Sequence, residues 1–235
     1  GNIDPRVLDR NNSRLGRYSV CYMGGLRIPP IDLSKLNLPD GGIWLGQETA
    51  ILEKELKDKK LSYEWVCQSA ISMFDVKGSL SGDKTIKRTL VWGLDRIYRV
   101  KLFFSDNRVF DQNHNLIPNT TNDLHLSLLE KDLYRRLAAS FYMRPEKRTP
   151  VKRKSAVTVD EDVINVGSFT IFGCQVEATL FNGNYLVEDP GNDEYGRELS
   201  ITYSYLPLSI PADAYKKEFH TQRNKVYREY NRRSR

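Results

Sequence analysis

Six of the chain's thirteen tyrosines stand beside or close to a cation: Arg17-Tyr18, Tyr98-Arg99, Tyr134-Arg135, Tyr215-Lys216, Tyr227-Arg228 and Tyr230. A phenol is neutral at pH 7 and ionises near pH ~10, where lysine also begins to lose its proton. With a pI near 9.1, the chain passes from cation to anion just below that range. Phenols stacked on guanidinium groups, or hydrogen-bonded across a contact, would then become mutually repelling charges. Tyr18, Tyr98, Tyr134, Tyr215, Tyr227 and Tyr230 are therefore candidate alkaline-sensing groups. Each alone also fits an ordinary core or rim tyrosine.

Reaction signatures are missing from the sequence. It has no Gly-x-x-x-x-Gly-Lys-Ser/Thr phosphate loop, no Gly-x-Ser-x-Gly elbow and no His-x-x-x-His metal pair. Glu53 with Glu55, and Asp160-Glu161-Asp162, read as exposed charge on a helix and a loop. Cys21, Cys67 and Cys174 are far apart, and the three histidines are scattered, so zinc is not expected. No catalytic residue and no metal ligand is assigned, and no cofactor is required. The expectation is a protein that is not an enzyme.

The elements that must carry these residues are mostly strands. Ile97 to Ser105 alternates Tyr98, Val100, Leu102 and Phe104 on one side with Arg99, Lys101 and Phe103 on the other. That is the period-2 pattern of a half-buried strand. Thr89–Trp92 and Arg108–Phe110 flank it in a meander, with Gly93-Leu94-Asp95 and Ser105-Asp106-Asn107 as turns. Tyr18–Met23, ended by Gly24-Gly25, reads as an earlier strand. Tyr63 to Phe74 fits a strand in its first half, although Val66, Ala70 and Phe74 also suit a helix. Later strands are expected at 164–166, 169–172 and 175–181, with Asn182-Gly183-Asn184 as a turn. An acidic loop, 188–198, then precedes a final strand over 199–206.

Three segments read as helices. Gln47–Lys60 stacks Leu52 on Leu56, with Glu48 at its positive end and Lys57, Lys59 and Lys60 at its negative end. A second, capped by Asn122 or Asp123, carries Leu126, Leu129, Leu133 and Leu137 on one stripe and stops before Pro145. The third follows Pro207 and Pro211, with Tyr215, Phe219, Val226 and Tyr230 on one face. Its remainder is crowded by Lys216, Lys217, Arg223, Lys225, Arg228, Arg232, Arg233 and Arg235. The aromatic stripe fits two roles, packing on its own domain or docking on a neighbouring molecule, and the second makes it a candidate assembly surface.

Charge points outward as well. The net charge is +6, and residues 144–154 hold six basic residues against Glu146. That run suits either a solvated loop or a phosphate-binding or targeting patch. No apolar run approaches the roughly 18 residues of a membrane span, so no membrane partner is expected. The polar start of the chain shows no apolar stretch after its charges, so reduced thiols in a cytoplasmic setting are expected. The 235 residues are read as one domain: a short arm (1–10), a body (11–206) and a C-terminal helical arm (207–235).

Several stretches, colinear over about 11–105 and 169–186, resemble the cypovirus polyhedrins. They are Asn11-Asn12-Ser13-Arg14-Leu15-Gly16-Arg17-Tyr18-Ser19-Val20, Leu45-Gly46 with Glu48-Thr49, and Ser62-Tyr63-Glu64. Gln68-Ser69-Ala70-Ile71, Leu102-Phe103-Phe104-Ser105, and Gly173-Cys174 with Phe181-Asn182 continue the likeness. The resemblance implies a mainly β fold, an antiparallel β-sandwich core flanked by helices. It further implies homotrimers in a crystalline lattice that encases virus particles in cytoplasmic inclusion bodies of the host cell. Nucleotides of the ATP or GTP type would sit at lattice contacts, at positions no local motif identifies, and alkali would dissolve the lattice. With only ten residues before Asn11, the helix at 211–231 is expected to take over part of the clamping done by the family's longer N-terminal arm. The alternative reading is a basic viral matrix or nucleic-acid-binding protein that uses 144–154 and the tail.

Overall fold

Ile97–Phe103 (β4) lies near the centre of an eight-stranded, wholly antiparallel sheet. The computed structural model describes residues 30–68, 71–105, 120–140, 142–143, 164–171, 176–187 and 194–233. The expected arm at 1–10, the strands at 18–23 and 108–110, Tyr18 and the basic run at 144–154 lie outside them.

The other strands are β1 (Tyr63–Gln68), β2 (Ile71–Lys77), β3 (Arg88–Gly93), β5 (Tyr142–Met143), β6 (Ile164–Ile171), β7 (Val176–Val187) and β8 (Glu194–Tyr205). Across the sheet they run β1-β2-β3-β4-β8-β7-β6-β5. Register puts Phe74, Val91, Val100, Tyr203 and Ala178 in one row, with Val76, Thr89, Leu102, Ile201 and Leu180 in the next. All ten are buried. Burying each large apolar member contributes about 1.5–3 kcal/mol, so these rows define the core.

Helices α1 (Thr49–Asp58) and α2 (Thr120–Ser140) join this core through Leu52, Leu56, Leu126, Leu133 and Leu137. Leu33, Leu38, Ile43 and Leu45, from the segment before α1, belong to the same cluster. The chain is thus mainly β with flanking helices, as expected. Where a β-sandwich core was expected, the described strands form one sheet, and helix and loop leucines pack on its core.

Three boundaries differ from the sequence reading. Tyr63–Gln68 and Ile71–Lys77 are paired strands: Trp65 pairs with Phe74 and Val66 with Met73, so the helix-like spacing of Val66 and Phe74 is coincidental. Asn182-Gly183-Asn184 is no turn, because it pairs with Leu199, Glu198 and Arg197 inside the twelve-residue β7–β8 ladder. A long ladder outweighs local turn propensity. The last strand starts at Glu194, within the expected acidic loop.

The third helix, α3 (Leu206–Arg233), starts directly after β8 and takes in both prolines. Pro207 lies in the first turn, where no amide hydrogen is needed. Where β8 leaves the sheet, Gly46 N donates to Ile97 O (2.7 Å) and Ile97 N donates to Gln47 O (2.8 Å). The 46–47 segment thereby continues the ladder beside β4. Gly46 (φ +83°) lies beneath the Tyr205 ring, where a Cβ would come within 3.0 Å of it.

Gly42 is the tighter position. At φ +79° a Cβ would meet the Ser81 backbone nitrogen at 2.8 Å. Gly42→Ala is expected to cost about 2–5 kcal/mol, the sum of a left-handed conformation and an overpacked backbone. Urea unfolding would check this, and a midpoint equal to that of the unaltered protein would refute it.

Candidate association surfaces

The polar side of β4 is electrically closed. Arg99 donates to both carboxylate oxygens of Asp213 on α3 (3.1 and 2.7 Å) and to Ser204 Oγ (2.9 Å). Arg88 makes a two-pronged contact with Asp75 (2.8 and 2.7 Å) and lies 5.1 Å above the centre of the Phe103 ring. Lys101 Nζ is 4.7 Å from that centre and donates to Glu198 (3.1 Å). Three cations thus meet three carboxylates, and the Arg99 pair ties the start of α3 to the sheet.

The first half of α3 belongs to its own domain. Leu208, Ala212 and Phe219 are buried, and Tyr215 packs against the core cluster and the Phe219 ring. Of the candidate assembly stripe, Tyr215 and Phe219 therefore face inward, Val226 is half-buried and Tyr230 is exposed. The domain-packing role holds for the proximal pair.

The candidate alkaline-sensing tyrosines separate in the same way. Tyr98 is 2% exposed, and its phenol is pushed up to about 12, mainly by burial, with Arg99 opposing and Asp213 adding. As a side chain of the core, Tyr98 answers alkali through the fold. Burial also raises Tyr215. Tyr134 is half-buried on α2, and Tyr227 is half-buried beneath the Arg223 guanidinium, 5.4 Å from its ring centre. Two tyrosines outside the candidate set share the burial effect. Tyr203 donates its hydroxyl hydrogen to Pro39 O (2.7 Å), and both Tyr203 and Tyr205 are raised by burial.

The most open backbone edge is β1. Among the described residues it pairs only with β2, in unbroken register over six residues. It contains no lysine, proline or bulge, three devices that blunt an edge, and Glu64 is its one charged residue. Trp65 is 55% and Val66 37% exposed, and because neighbours alternate faces they project on opposite sides of the sheet. The other edge, β5, is two residues long. Sequence reasoning identified the β1 strand but not its place at the edge, which depends on strand order. Its lack of lysine and proline was the legible signal.

No protein-family model, curated protein or solved structure matches the chain.

Proposed function

We propose that this chain is a structural protein that assembles with copies of itself, and that β1 is a seam of that assembly. One observation carries the reading: a six-residue strand edge without lysine, proline or bulge, with Glu64 its one charge, bearing exposed Trp65 and Val66. Unpaired strand amides and carbonyls template another strand, and a second copy offers the same edge for antiparallel pairing. The role is the one implied by the polyhedrin-like stretches: a non-catalytic, trimer-based lattice in the host cytoplasm that encases virus particles and dissolves in alkali. Nucleotides at lattice contacts belong to the same proposal, as does a clamp formed by the distal part of α3.

Expression of the chain alone is the test. Particles visible by light microscopy, or large assemblies in sedimentation, are expected. The paired substitution Trp65→Lys with Val66→Lys is expected to leave the circular dichroism intact and shift the protein to small species. An unaltered chain that sediments as a monomer at high concentration would sink the reading.

A further inference from the structure

The distal half of α3 has a second face with chemistry of its own. Beyond Phe219, every described residue of the helix is exposed or half-buried. At about 100° per residue, Leu208, Ala212, Tyr215, Phe219 and Val226 share one side. Lys217, Lys225, Arg228 and Arg232 fall within about 80° of one another, on a stripe roughly 150° around from that side. All four are exposed. None of them takes part in an ion pair between described residues.

We infer that this stripe binds the phosphate backbone of a nucleic acid, without sequence readout. Charge complementarity is the argument. On the sheet Arg88, Arg99 and Lys101 each face a carboxylate, whereas these four present their charge to solvent with no ion pair among the described residues. Fifteen residues separate Lys217 from Arg232, about 22 Å along the axis. That length spans several phosphates at the roughly 3.4 Å rise of a nucleic-acid strand.

Two other occupants fit less well. A membrane surface needs the helix's apolar side to enter the lipid, but Leu208, Ala212 and Phe219 are already buried in this domain. A second copy of the chain carries a net charge of +6, which opposes docking on this stripe, and a clamp would use the opposite side of the helix, with Val226 and Tyr230. The seam at β1 and the Val226–Tyr230 side of α3 are separate surfaces from this stripe, so assembly and nucleic-acid binding can be tested separately.

The experiment is fluorescence anisotropy of a short labelled single-stranded RNA titrated with the full chain, over about 50–200 mM salt. The combined variant Lys217→Gln, Lys225→Gln, Arg228→Gln and Arg232→Gln is expected to lose at least about thirtyfold in affinity. Its salt slope should shrink by about three, close to the 0.7 expected per single-strand phosphate contact. A control with the same charge change elsewhere, Lys54→Gln, Lys60→Gln, Lys77→Gln and Lys84→Gln, should stay within about twofold of the unaltered chain. Any of three results would overturn the inference: no RNA binding, equal loss in both variants, or binding to anionic vesicles with none to RNA.

Discussion

Between pH 10 and pH 12 the unfolding free energy of this domain is expected to fall by about 2 kcal/mol through Tyr98 alone. The unfolded chain ionises its tyrosines near ~10, whereas the folded chain holds Tyr98 neutral until about 12, chiefly because the phenol is buried. A raised folded value contributes stability that is whole below the unfolded value. It is lost as pH climbs through the folded one. Tyr203, Tyr205 and Tyr215 shift in the same direction by burial and add to the fall.

Domains commonly have only about 5–15 kcal/mol in hand, so a few such phenols bring the fold near its limit in strong alkali. Urea midpoints followed from neutral pH to pH 12 measure the fall. Tyr98→Phe should flatten it, and Tyr203→Phe should flatten it further. The second variant also costs about 1 kcal/mol at neutral pH, through loss of the bond to Pro39 O. If both variants kept the slope of the unaltered protein, the alkaline response would have to come from other groups. A lattice built from this domain would then come apart in alkali because its subunits loosen, with no contact tyrosine needed.

How far the chain can be read before folding depends on the range of the force involved. Period-2 alternation is local, so β4 and its buried side were legible from Tyr98, Val100, Leu102 and Phe104. The leucine stripe of α2 was legible for the same reason. The extent of β7 was not, because Asn182-Gly183-Asn184 is held straight by residues of β8 that lie far along the sequence. The partners of the polar side of β4 were also hidden. Nothing local to Arg99 announces Asp213, and nothing local to Lys101 announces Glu198. Of the surfaces, the basic stripe on α3 follows from helical spacing alone. The β1 edge needed strand order, which the sequence does not write locally.

Lys101→Met is expected to destabilise the domain by about 3–5 kcal/mol at neutral pH, far more than loss of a surface charge. The Glu198 side chain is 7% exposed and that of Lys101 18%, with 3.1 Å between their charged atoms. Methionine keeps most of the stem that runs beside Phe103, so the cost isolates charge from packing. What remains is a buried carboxylate whose neighbours include Ser200 Oγ at 3.2 Å, a hydroxyl that cannot neutralise it. An exposed pair would cost about 0–1 kcal/mol, since water resolvates the survivor. Here the carboxylate stays inside, so the penalty is that of a desolvated charge that has lost its ammonium. The double variant Lys101→Met with Glu198→Met removes both charges and should recover at least about 2 kcal/mol relative to the sum of the single changes. A double-mutant cycle in urea measures that coupling. Purely additive losses would mean that Glu198 finds solvent or another partner when Lys101 is gone, and that the pair does not lock β4 to β8.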